Sequence, residues 1–165
     1  MTELERARER IVFARDYTRC LLDGVGASQW FRMPPAGISH VAWQVGHLAY
    51  VEYRLVIMRL CGPQAERELL PEGFGALFGA RSTPDADASR YPDVETIRAA
   101  FDRVHARALG ELAACAPARL DEANDPPHPY ATTKLECLYW CSSHEMLHGG
   151  QIGLLRRQLG CQPLW

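Results

Sequence analysis

The stretch HVAWQVGHLAYVEYRLVIMRL, His40 to Leu60, constrains the fold more than any other part of the chain. Read as a helix, it carries apolar residues on most of its circumference. It leaves no broad face for water and has to be wrapped by other elements. Ser39 offers an N-cap for it, and Gly62-Pro63 ends it.

Three more stretches have helical periodicity. Thr2 to Leu22 places Leu4, Ile11, Tyr17 and Leu21 on one stripe and stops at Gly24 and Gly26. MPPAG then forbids helix across Pro34 and Pro35. Val94 to Cys115 spaces Ile97, Phe101, Val104, Ala108 and Leu112 by three and four residues, and NDPPHPY breaks the chain after it. The last helix opens on Thr133 and Glu136, a capping box, and runs to Gly160 with Arg156 and Arg157 in its final turns. The connection from Cys61 to Asp93, about 30 residues rich in Gly, Pro, Ser and Asp, is too long for a turn and reads as a crossover or a site flank. No strand alternation and no repeat is visible. The expectation is an all-α four-helix bundle in a single domain over residues 1–165.

Composition excludes several functions. A net charge of −2 with scattered arginines leaves no footprint for nucleic acid or an anionic membrane. MTELERARER is charged where an export signal needs an apolar core, and no apolar run is long enough to span a bilayer. The six cysteines show no C-x-x-C pair, so reduced, mostly buried thiols in a cytoplasmic protein are expected.

Chemistry concentrates in SSHEMLHGGQ, Ser142 to Gln151. His144 and His148 sit about 40° apart on a helix, one turn along the same face, so two imidazoles can grip one metal ion. With Glu145 they spell the H-E-x-x-H string of zinc proteases. That reading needs a third ligand downstream, but Gln151 and Leu154 occupy the metzincin Gly and His positions. The remainder, GGQIGLLRRQLGCQPLW, contains no Asp, Glu or His. A third ligand must come from upstream, and His47 in WQVGHLAY, beside the small Gly46, is the strongest candidate. Three histidines leave coordination positions open for water or a substrate heteroatom.

Other polar residues take secondary roles. Gln44, Gln151 and His40 are candidates for the substrate pocket or for supporting the ligands. Cys141 reads as packed rather than as a soft ligand, His105 as exposed, and His128 as part of a proline-rich loop. Glu145 is the candidate base, but its position about 100° around the helix from His144 favours a hydrogen bond to a neighbouring helix.

WQVGHLAYVE, followed late in the chain by HEMLHGGQIGLLRRQLG, resembles the DinB superfamily in its DinB_2 branch. LFGARSTPDADASRYPDVETIRAAFDRVHARAL resembles that family's linker and third helix. The resemblance implies an up-down-down-up bundle with a long crossover between helices two and three. It also implies a divalent metal (Zn, Ni or Fe) on His47, His144 and His148, and relatives that pair as homodimers. Its fold is similar to that of thiol-dependent S-transferases and to the N-terminal domain of sulfoxide synthases. No counterpart of those synthases' second, C-terminal domain is expected in these 165 residues. The expected function is therefore a metal-dependent transferase using a low-molecular-weight thiol with a small-molecule substrate. Metal-dependent hydrolysis, or a non-enzymatic metal-stabilised binding or stress protein, are the alternatives.

Overall fold

A computed structural model of the chain describes residues 1–35 and 39–164. Of the segment expected to forbid helix, Met33 to Pro35 are non-helical, while Ala36 and Gly37 lie outside the described residues. Helix α1 spans Glu3–Leu22, and α2 spans Val41–Glu52. A π-helical turn, Tyr53–Ile57, carries α2 without interruption into α3, Met58–Cys61. The crossover holds α4 (Glu66–Leu69) and α5 (Phe74–Phe78), and α6 spans Val94–Ala114. A short hairpin, β1 (Ala123–His128) and β2 (Ala131–Thr133), leads into α7, Lys134–Gln158.

Side-chain caps fix the helix starts. Thr2 with Glu5, and Thr133 with Glu136, form reciprocal capping boxes, and Asp93 accepts from Thr96 N. Each such cap contributes about 1 kcal/mol. The start of α2 differs from expectation, because His40 rather than Ser39 is the cap. The His40 ring Nδ1 accepts from Trp43 N at 3.1 Å, which releases the Ser39 hydroxyl to accept from Gln44 Nε2.

Contacts at the helix ends fix the up-down-down-up course. Tyr139 meets Glu3 at one end of α7, and Arg156 donates to the carbonyls of Leu21 and Asp23 at the other, so α1 and α7 run together. Gln44 meets Gln151, whereas Arg59 reaches Pro126 in the hairpin before α7, so α2 and α3 run the opposite way. Arg98 lies over Trp30, just ahead of α2, while His105 meets Glu52 near the far end of α2, so α6 runs with α2.

The hairpin corrects the expectation of no strands. It pairs only at Ala123 with Thr133 and at His128 with Ala131, with an irregularity between. Two prolines in β1 cannot donate, and its exposure does not alternate, so no period-two signal marks it. The core draws Ile11, Trp30, Leu48, Ile57, Ile97, Leu112, Leu138 and Ile152 from all the long helices and the first loop. The cysteines also differ from expectation. All six are free, but only Cys137 and Cys141 are buried.

Inside the bundle sits a charge cluster that joins all four long helices. Arg15 of α1 is fully buried and donates to Glu145 of α7 through Nε at 2.8 Å and Nη2 at 3.2 Å. Its Nη2 also donates to Glu52 of α2 at 2.7 Å, and its Nη1 to the Phe101 carbonyl of α6 at 2.8 Å. His105, expected to be exposed, is buried and donates from Nδ1 to the second Glu52 oxygen at 2.8 Å. It lies on the buried stripe of α6 with Phe101, Val104 and Ala108.

Candidate metal centre

His47 faces α7 from the middle of α2, and His144 and His148 face back from successive turns of α7. One ligand nitrogen from each lies within 4.8 Å of the other two. Among the described residues no other histidine, cysteine or carboxylate joins this cluster. Cys141 is packed in the core one turn before His144, and burial pushes its thiol well up. The three imidazoles therefore converge on one point between α2 and α7.

Two of the three rings are held through their other nitrogen. His47 Nδ1 donates to the Phe78 carbonyl at 2.6 Å, and His148 Nδ1 donates to Gln44 Oε1 at 2.5 Å. Both bonds select the tautomer that leaves Nε2 with a free lone pair. Gln44 is fixed in turn, because its Nε2 donates to Ser39 Oγ at 2.9 Å and to Gln151 Oε1 at 3.0 Å. Trp43 stacks on the His47 ring with centroids 4.6 Å apart and planes 10° apart, and its indole donates to Ser82.

The third ring makes no such bond. His144 Nδ1 is buried without a hydrogen-bond partner, a cost that metal ligation through that nitrogen would offset. All three imidazoles are kept neutral. Burial, with the neighbouring histidines adding to it, pushes His144 down to about 4 and His148 down to about 3. Burial also lowers His47, against the pull of the Phe78 carbonyl. Three neutral, converging nitrogens, two of them already oriented, fit a divalent metal.

The Phe78 carbonyl reaches His47 because position 46 is glycine. A Cβ there would lie 2.7 Å from Phe78 Cγ, so only Gly46 lets the α5 segment close on α2. Gly75 plays the same part opposite Tyr50, whose ring carbons would lie 2.8 Å from its Cβ.

The remaining sequence candidates separate cleanly. Gln44 is buried and braces His148, and Gln151 braces Gln44 from an exposed position. His40 is fully buried at the start of α2, its Nε2 donating to the Asp85 carbonyl at 3.1 Å, and it stands outside the cluster. Glu145 points away from the histidines into the charge cluster. Burial pushes its carboxyl up, Arg15 pulls it back, and Glu52 adds to the rise. Glu52 is likewise buried, but Arg15 and His105 outweigh the burial and hold it below the usual range.

A cavity of about 660 Å³ opens onto His47 and His144. Its far wall comes from the hairpin, through Pro126 to Tyr130, and its floor from α2, α3 and Trp140. Sequence reasoning missed this hairpin wall and the arginines that line the cavity. The signal was present in Arg54 and Arg59, two cations on a stretch that is otherwise apolar nearly all round.

The family model of the DinB superfamily, in its DinB_2 form, matches residues 10–152. No curated protein matches the chain. The matched span begins inside α1, crosses the whole bundle and contains all three histidines, and on that extent the chain belongs to the DinB superfamily.

Proposed function

We propose that the protein is a metal-dependent transferase that uses a small thiol cosubstrate at His47, His144 and His148. One observation carries this reading: three neutral imidazoles converge beside a cavity and have no fourth protein ligand among the described residues. A purely structural metal is normally closed by four protein ligands, whereas a catalytic one keeps a position open. A divalent metal held there would supply Lewis acidity, lowering the pKa of a thiol so that a thiolate is available at neutral pH.

The chain's own residues do the rest. Gln44 and the Phe78 carbonyl hold His148 and His47 in ligand tautomers, and Trp43 shields His47 from water on one ring face. Glu145 belongs to the charge cluster and acts in helix positioning rather than as a base. A cytoplasmic setting, where small thiols stay reduced, belongs to the same reading and is supported by six free cysteines. Pairing as a homodimer belongs to it too, with Phe13 of α1 and Leu147 and Leu154 of α7 exposed; the mass in solution tests that part.

Metal content of protein purified without a histidine tag, compared with His47→Ala, His144→Ala and His148→Ala, tests the centre. Stoichiometric metal in the parent and loss in each variant is expected, and full retention by all three variants would sink the triad. Turnover of an electrophilic substrate panel with and without small thiols then separates transfer from hydrolysis.

A further inference from the structure

We infer that the cavity beside the histidines takes an anionic small molecule, whose carboxylate or phosphate is held by Arg59 together with Arg54 and Arg81. Three arginines line this cavity and, among the described residues, no aspartate or glutamate does. None of the three has an acidic partner among the described residues, whereas Arg15, Arg19, Arg90, Arg107 and Arg119 each pair with a carboxylate. A local charge of +3 in one cavity stands out on a chain whose net charge is −2.

Arg59 is the strongest element. It is more than nine-tenths buried, donates one Nη to the Pro126 carbonyl, and leaves its Nε buried without a hydrogen-bond partner. A buried guanidinium with no counter-charge is costly unless a ligand completes it. The guanidinium fork matches carboxylate and phosphate oxygens, which a neutral substrate lacks. Arg54 donates to the Tyr50 hydroxyl at 3.4 Å and lies over that ring, and Arg81 is exposed at the rim. Tyr130 and Trp140, with rings 5.1 Å apart, supply an apolar wall for the body of the same molecule. The anion therefore binds on the hairpin side and presents its other end to the histidines.

This inference rests on the proposed function only in taking the cavity as the substrate site. The experiment is calorimetric titration of the full chain with benzoate, phenyl phosphate and the neutral benzyl alcohol. Each is run on protein as purified and on protein stripped with a chelator, with metal content measured in every sample. At least one anion is expected to bind about tenfold or more tighter than benzyl alcohol, the worth of one charge-assisted hydrogen bond. The preference should survive metal removal, and Arg54→Gln and Arg59→Lys should each reduce it by about tenfold. Arg59→Lys keeps the buried charge, and exposed Arg81→Gln serves as a third variant that leaves the interior intact. Preference for benzoate alone or phenyl phosphate alone assigns the group, and either supports the inference. Equal binding of anionic and neutral probes, or a preference that all three variants leave untouched, overturns it. Stoichiometric metal without anion preference sinks the inference and spares the metal centre; anion preference on protein that carries no metal as purified does the reverse.

Discussion

Replacing Arg15 by Met tests whether the buried charge cluster holds the bundle together. Met matches the length of the aliphatic stem but removes every bond the guanidinium makes. Those are two to Glu145, one to Glu52 and one to the Phe101 carbonyl, together with a cation–π contact 3.5 Å above the Phe101 ring. Glu145 is then buried without its cation and Glu52 keeps only the His105 contact, and breaking a buried pair in this way costs about 3–5 kcal/mol. A chain of this size loses roughly 2–4 °C in Tm per kcal/mol, so a fall of roughly 6–20 °C is expected. The pH dependence carries the sharper signature. In the parent, Arg15 and His105 hold the Glu52 carboxyl below its ordinary value of 4.5. That stabilisation is present above the unfolded pKa and is lost as pH falls through the lower folded pKa. In the variant, burial acts unopposed by Arg15 and raises both carboxyl pKa values, so protonation relieves the strain as pH falls. The deficit should be largest near neutrality and should shrink towards about pH 4. Urea unfolding followed by far-UV circular dichroism at stepped pH measures it. A deficit below about 1 kcal/mol, or one constant from about pH 8 to pH 4, would refute the reasoning.

Two further outcomes follow from the metal centre. Gly46→Ala should force the Phe78 ring away from α2, free His47 Nδ1 from its carbonyl, and lower metal affinity by about 10- to 100-fold in a chelator competition; unchanged affinity would show that this carbonyl does not orient the ring. Proton competition for the metal should set in late, because His144 and His148 are pushed down to about 4 and about 3. Metal content after equilibrium dialysis should hold well below the ordinary histidine value of 6.5 and fall only on approach to pH 4, whereas half-loss near 6.5 would count against these buried ligands.

Much of this site can be read in the sequence because a helix converts spacing into direction. His144 and His148 are separated by one turn, and His47 lies on the most enclosed helix, so their convergence needed only the bundle. The charge cluster was harder to see, although its signals exist. Arg15 follows Ile11 by four on the buried stripe of α1, Glu52 is a lone acid among apolar residues, and His105 follows Phe101 by four. A charged residue at a core position reads as surface until its partners are known, and those partners lie on other helices. Two features carry no such signal. The Phe78 carbonyl is backbone, contributed by a crossover with no periodicity, and the hairpin wall pairs at only two positions.

The π-helical turn at Tyr53–Ile57 has a consequence for how this protein can diverge. An i→i+5 closure holds one residue more than a regular helix would over that stretch, and each residue of an α-helix accounts for about 100° of rotation. His47 and Glu52 precede the turn and are phased to α7 and the cluster, whereas Arg59 follows it and is phased to the hairpin. One continuous rod therefore carries two independent phases. A single insertion or deletion within the turn re-aims Arg59 while His47 stays in register, so the lining on the hairpin side of the cavity can change without disturbing the histidines.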